Sequence, residues 1–381
     1  MPMTKYLGTL RINKVKKTEA VDIIIDLCNS ILLKVHNPAL PNLKAGDWDQ
    51  VLSLAAEQGM LPIIAPLLTD LTFDDEASRM MLVEWYAIAQ SNQQDYKLRK
   101  NIMCEMANMF AKEGMDILFM KGASLAQLYP NPEWRVFSDI DYYLYGQSER
   151  GIKVMEQNGI ENEGYYHHHT QASLNGILLE NHYDFVERVN HKCDIILDDA
   201  LKTLAEKEGH SLRASFLGEN INNAYVMTPT MNAIFLMRHM SAHFVSETIP
   251  LRMLYDWALF LKHHAKDVDW TLVDDLYDKS GMTEFAGLIQ HLLKTKLCVE
   301  YSDCPVFPFD VGKLDKLWQS IIYPPEQDPY KKFSFIYYLF EAKTFWKNRW
   351  KHEIVYPGES FAWLFCKYAW LGTKKMLGLL K

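Results

Sequence analysis

The sequence predicts an α+β fold, a small mixed-sheet core set between N- and C-terminal helical segments. Apolar residues recur at helical spacing up to about residue 100, and again after residue 200. Between these stretches, residues 115–198 read as strand, helix, strand, helix and a hairpin, a compact α/β unit. With 381 residues, 49% of them hydrophobic, the chain can bury a large core and form more than one domain. We divide it into an N-terminal helical segment (1–100), the core (101–200) and a C-terminal helical domain with a basic, aromatic tail (201–381).

Taken in order, VDIIIDLCNSILLKV (21–35) has the helical period. WDQVLSLAAEQGMLPIIAPLLTDL (48–71) continues it, broken by Gly59 and Pro62. Residues 78–114 read as one long helix or two abutting ones, with Gly114 as the stop. MDILFM (115–120) is a short apolar run fit for a buried strand. Lys121 and Gly122 end it, and ASLAQLY forms a short helix stopped by Pro130. DIDYYLY (139–145) has the β-branched and aromatic content of a strand. SERGIKVMEQNG is a helix closed by Gly159, and GILLENHYDFVER and HKCDIILD read as two strands joined by a tight turn near Asn190. Helical spacing then returns, with Pro229 placed to start MNAIFLMRHMSAHFV, followed by LRMLYDWALFLKHHA and WTLVDDLYDKSG.

The formal net charge of −8 denies the chain an overall basic footprint, which argues against long nucleic acid as a partner. Six cysteines without a CxxC pair, and an N-terminus without an apolar signal core, fit a cytoplasmic protein with reduced thiols. No apolar stretch reaches the length of about 20 residues that a membrane-spanning helix requires. Neither a Walker A sequence, a GxGxxG nor a Cys/His set at zinc spacing occurs.

Asp139 and Asp141 are the principal candidates for chemistry. One residue apart on a strand, they share a face at a separation of roughly 7 Å along the backbone, close enough to converge on divalent cations. Such a pair alone also describes a solvated strand end. Their surroundings add to the signal: a strand ending in Lys121-Gly122 precedes them, and a short helix follows the glycine. Gly122 lets a phosphate approach the backbone. Lys121 can supply a point charge, or snorkel from a strand end. Ser124 can donate a hydroxyl, or cap its helix.

FMKGASLAQLYPNPEWRVFSDIDYYLY resembles the signature of the polymerase-β-type nucleotidyltransferase superfamily. It is most similar to a bacterial branch of uncharacterised nucleotidyltransferases that sets a Lys-Gly after the first strand and an Arg shortly before Asp-Ile-Asp. Lys121, Gly122, Arg135, Asp139 and Asp141 match those positions. The helical flanks match too, so the likeness spans most of residues 45–270. The sequence departs from the superfamily in having Gly122-Ala123 for the usual small pair and a longer connection to Asp139. The resemblance implies Mg²⁺ or Mn²⁺ on Asp139, Asp141 and a third carboxylate, for which Asp194 fits as metal ligand or general base. Asp198 and Asp199 are rivals that read better as a loop or helix cap. It further implies a nucleoside triphosphate held by Lys121, Gly122, Ser124 and Arg135, and transfer of its nucleoside monophosphate to an acceptor hydroxyl. The alternative is a catalytically silent nucleotide- or partner-binding protein on the same fold.

Other polar residues carry two readings each. Arg135 can brace a triphosphate or form a surface ion pair. His239 and His243 share a helix face and can line a cleft, though such pairs are more often packed and hydrogen-bonded. Arg252 and Asp256 have the spacing of an intrahelical ion pair, with a substrate contact from Arg252 as the other reading. His182 and Asp184 alternate on the hairpin strand and either face the site or the strand's surface. His167, His168 and His169 read as an exposed loop, since neighbouring imidazoles on a strand diverge. The tail from 331 holds ten Lys/Arg against three Glu among many aromatics. It fits a basic outer face over inward-packed aromatics, or else contact with a membrane surface or acidic partner.

Overall fold

The structure, a computed structural model, describes residues 16–35, 39–188, 191–300, 302–323 and 335–376. Four helices come first: α1 (Lys17–Cys28), α2 (Ala45–Glu57), α3 (Leu61–Ile64) and the long α4 (Glu76–Lys112). The carboxylate of Asp75 accepts from the Ser78 amide to cap α4. The helix runs unbroken to Lys112, and Gly114 ends the turn at φ +64.

The core follows as β1 (Ile117–Phe119), α5 (Gly122–Ala126), β2 (Asp139–Tyr143), α6 (Ser148–Gln157), β3 (Asn162–Tyr165), β4 (His169–Leu174), β5 (Ile177–His182), α7 (Lys192–Glu208) and β6 (Ala224–Val226). These strands form one six-stranded mixed sheet in the order β3-β4-β5-β2-β1-β6. Strand β2 is parallel to β5 and antiparallel to β1, while β3, β4 and β5 form an antiparallel meander. The remaining helices are α8 (Pro229–Ser246), α9 (Leu251–His264), α10 (Trp270–Ser280), α11 (Thr283–Lys296), α12 (Leu314–Ile322), α13 (Phe335–Lys347), α14 (Arg349–Val355) and α15 (Phe361–Met376). No helix among the described residues is long and apolar enough to cross a membrane.

Strand alternation divides the core. Ile140 and Tyr142 of β2, with Ile117 and Leu179, pack with α4 residues such as Met106 and Phe110 and with Met155 of α6. Leu118 and Tyr143 belong to a second, larger cluster with Leu197, Leu201 and Phe235 of α7 and α8. Asp139 and Asp141 have the parity of Tyr143, so they stand on the sheet face turned to the C-terminal helices.

The sequence reading needs four corrections here. HKCDIILD is not a strand but the first two turns of α7. Buried Cys193, Leu197, Leu201 and Ala205 recur every fourth residue, a period that shows only when the reading continues past 198. The first hairpin strand stops at His182, and the expected turn near Asn190 lies outside the described residues. Two polar strands, β3 and β4, bracket the histidine run that read as an exposed loop, and its last residue, His169, is buried and opens β4. Lastly, β6 extends the sheet beyond residue 200.

The tail is mixed in character. Phe345 stacks on Phe361, whereas Trp346, Trp363 and Trp370 are each more than half exposed. Lys351 of α14 is only 2% exposed and donates to the Glu247 carbonyl at 2.8 Å. Burial pulls its ammonium from the ordinary 10.5 down to about 8. Between those two values the unfolded chain still holds a proton that the folded chain has released, so raising pH favours folding. Chemical denaturation across pH 8–10.5 should show wild-type stability rising relative to Lys351→Met, with a slope of up to about 1.4 kcal/mol per pH unit. A pH-independent difference would refute this.

Candidate functional site

Strand register assembles the site. In the parallel pair β2–β5, Asp141 lies opposite Glu180 and Tyr143 opposite His182. In the antiparallel pair β4–β5, Gln171 lies opposite Glu180 and His169 opposite His182. Partners in register share a face, so Asp139, Asp141, Glu180, His182 and His169 stand side by side. His182 Nε2 is 3.1 Å from Asp141 Oδ1 and 3.7 Å from Glu180 Oε2. Burial disfavours its charge, but the bonds to Asp141 and Glu180 outweigh that and raise it to about 9.

Lys121 reaches the same group from the end of β1. Its Nζ is 3.1 Å from Asp141 Oδ1 and 3.4 Å from Asp139 Oδ2. Burial alone would lower its basicity, yet Asp141, Asp139 and Glu180 together hold it above the ordinary lysine value. The backbone there is strained, with Lys121 at φ +32, a left-handed conformation unusual for a residue with a side chain. Gly122 follows at φ +46, and a Cβ there would come within 3.3 Å of the Phe137 ring. Glycine is therefore required at this turn. Ser124 spends its hydroxyl on the Lys121 carbonyl at 2.6 Å, which closes the turn.

Asp141 is 2% exposed, and its Oδ2 has no hydrogen-bond partner. A buried carboxylate oxygen left in that state is costly unless a cation completes it. The ligand atoms of Asp141, Glu180 and His182 lie within 4.8 Å of one another.

Arg135 is buried and fully engaged. Its Nε and Nη2 bond Asp256 at 2.7 and 2.8 Å, and its Nη1 bonds the Gly122 carbonyl at 3.1 Å. Tyr129 also donates to Asp256, at 2.9 Å. The guanidinium thus ties the glycine turn to α9. The expected Arg252–Asp256 pair does not form, because Arg135 and Tyr129 take the Asp256 oxygens. Arg252 forms no ion pair among the described residues and lines a cleft of about 140 Å³ with Lys121, Gly122, Asp139, His239 and His243. Burial, then repulsion from Arg135, holds its basicity below the ordinary arginine value. His239 and His243 stack edge to face at 4.7 Å. Burial first, and Lys121 second, hold both below the ordinary histidine range, so they line the cleft as neutral rings.

The structure therefore brings together Lys121, Gly122, Arg135, Asp139 and Asp141, with Ser124 bracing the turn. It does not bring Asp194 into this group. In the first turn of α7, Asp194 is 1% exposed and receives Arg238, whose Nη2 is 2.9 Å from Asp194 Oδ2 and also bonds the Tyr356 hydroxyl. Asp198 and Asp199 lie within α7, not at a cap. Buried Asp198 accepts from the Phe185 amide, Arg188 and Lys202, and Asp199 receives Arg188. Asp184 is bound by Lys202. Glu180 went unremarked in the sequence, although it shares the parity of His182 on the same strand.

Removing the Asp194 carboxylate would strand a buried guanidinium. Asp194→Ala should lower unfolding free energy by about 3–5 kcal/mol in urea titration, while Mn²⁺ affinity of the folded protein stays at the wild-type value. An Mn²⁺ site lost at unchanged stability would return Asp194 to the metal centre.

A model of the family described as uncharacterised nucleotidyltransferase matches residues 44–297, which takes in the sheet, the cleft and its flanking helices. No curated protein and no solved structure matches the chain.

Proposed function

The chain belongs to the uncharacterised nucleotidyltransferase family, and from that premise we propose that it moves a nucleoside monophosphate from a nucleoside triphosphate to a hydroxyl-bearing acceptor in the cleft between β2 and helices α8 and α9. The observation that carries this reading is the set Asp139, Asp141 and Glu180 on one sheet face around Lys121, with Asp141 Oδ2 buried and unpartnered.

The donor set fits a hard divalent ion such as Mg²⁺ or Mn²⁺, which takes carboxylate oxygens and leaves positions for phosphate. Asp139 and Asp141 would hold it, with Glu180 in the place that the resemblance gave to Asp194. Once bound, such an ion neutralises phosphate charge and aligns the α-phosphorus for in-line attack. The protein's own groups do the rest. Lys121, now the counter-charge of the two aspartates, is released to pair with phosphate. Gly122 leaves its backbone open to close approach. Arg252, which has no carboxylate partner among the described residues, takes phosphate oxygens in the role the sequence reading gave to Arg135. Arg135 positions the glycine turn instead. Neutral His239 and His243 offer hydrogen bonds without competing for the anion.

A second reading, nucleotide or partner binding without turnover, draws support from Lys121, since a tethered ammonium stabilises the carboxylates without metal. Two measurements separate the readings. Calorimetry with each triphosphate and Mg²⁺ reports binding, and pyrophosphate release reports transfer. We expect Asp139→Asn/Asp141→Asn to abolish both signals. Arg252→Ala should weaken triphosphate binding about ten- to a hundredfold, the worth of a charge-assisted hydrogen bond, with little change in stability. Binding and release undiminished in the aspartate variant would remove the proposed site. Binding without release under any acceptor condition would favour the silent protein.

A further inference from the structure

The buried histidines beside the carboxylates form a constellation of their own. His168 ends the connection from β3 to β4, His169 opens β4, and His182 closes β5 directly opposite it. Ring centroids are 4.6 Å apart for His168–His169, 5.2 Å for His168–His182 and 5.3 Å for His169–His182. One ring nitrogen from each lies within 4.8 Å of the other two. His169 and His182 are 8% and 3% exposed, and His168 is half-buried.

Three imidazoles gain little by sharing a buried space with one another. Each ring carries two polar nitrogens, and each nitrogen needs a partner once removed from water. His168 Nδ1 and His169 Nδ1 have none. The opposite edges are supported: His169 Nε2 lies 3.6 Å from Glu180 Oε1, and His182 Nε2 bonds Asp141. His169 thus has the arrangement of a metal-binding histidine, with one nitrogen oriented by a carboxylate and the other left for an ion, while His182 Nδ1 lies 3.2 Å from the Asp184 carbonyl, a contact that an ion at that nitrogen would displace. Imidazole nitrogens suit zinc, cobalt, nickel or copper, whereas magnesium and calcium prefer oxygen. An ion bound tetrahedrally at about 2.0–2.1 Å draws its nitrogen ligands to roughly 3.4 Å apart, so modest ring rotations close the site.

We propose that His168, His169 and His182 bind a zinc-class divalent ion at the outer half of the sheet, separate from the hard ion assigned to Asp139 and Asp141. Three histidines leave a fourth position for water, as in open zinc sites. The two centres meet at His182, whose bond to Asp141 lets occupancy of one orient a ligand of the other. This site does not depend on the transfer chemistry proposed above.

Cobalt(II) titration of the chelator-stripped full-length chain, without nucleotide, tests it. Wild type should take up one equivalent with the visible absorption bands of a low-coordinate, nitrogen-ligated cobalt centre. His168→Ala and the more conservative His168→Gln should each weaken that binding by about tenfold or more, with the far-ultraviolet circular dichroism of wild type. Asp139→Asn should keep the bands. A wild-type titration that stays featureless, or His168 variants that bind cobalt as tightly as wild type, would overturn the proposal. Bands lost in Asp139→Asn but kept in His168→Ala would place the ion on the carboxylates and overturn it equally.

Discussion

Two carboxylates forced together by strand register set the terms for this protein. Asp141 and Glu180 are direct partners on parallel strands, and Asp141 is almost wholly buried. Negative charge so placed is tolerable only beside positive charge. The chain answers with Lys121 from one side and His182 from the other. The strained turn at Lys121-Gly122, the glycine that turn demands and the bond from Arg135 to the Gly122 carbonyl all follow from bringing that lysine to its place. The same neutralisation is what a divalent ion offers, so the requirements of the fold and of the proposed chemistry coincide on a few atoms.

Much of this was legible in the sequence, because it rested on local patterns. The period-two placement of Asp139 and Asp141, the Lys-Gly turn, the long helix ending before Gly114 and the helical return after Pro229 can each be read within a short window. What escaped depended on longer context. HKCDIILD has a strand's composition over eight residues and a helix's period over fourteen. β3 and β4 lie at the outer end of the sheet, where polar Gln171 and the exposed Tyr165 blur the alternation that marks a buried strand. Glu180 becomes a site residue only through its register with Asp141, which no single segment specifies.

Charge partners were the hardest to read. Arg252 and Asp256 sit four apart on one helix, the spacing of an intrahelical pair, yet Asp256 is claimed by Arg135 from 121 residues away. A buried bidentate contact with low exposure on both sides outcompetes the neighbour on the same helix. The exchange turns Arg135 into a brace and leaves Arg252 facing the cleft uncommitted. Asp194 shows the same logic in reverse: its charge is satisfied by Arg238 of α8 and is thereby withdrawn from the sheet.

The Arg135–Asp256 contact also bears on how the molecule can be divided. Asp256 belongs to α9, and Arg238, the partner of Asp194, belongs to α8. Each pair joins the sheet-bearing half of the chain to the helices after it. A fragment cut after β6 would keep all six strands of the described sheet yet carry an orphaned arginine under its glycine turn and an orphaned aspartate at the head of α7. The catalytic-looking sheet is therefore not a portable module. Gene fusions, or truncations made to isolate it, must carry the helices through α9 along with it.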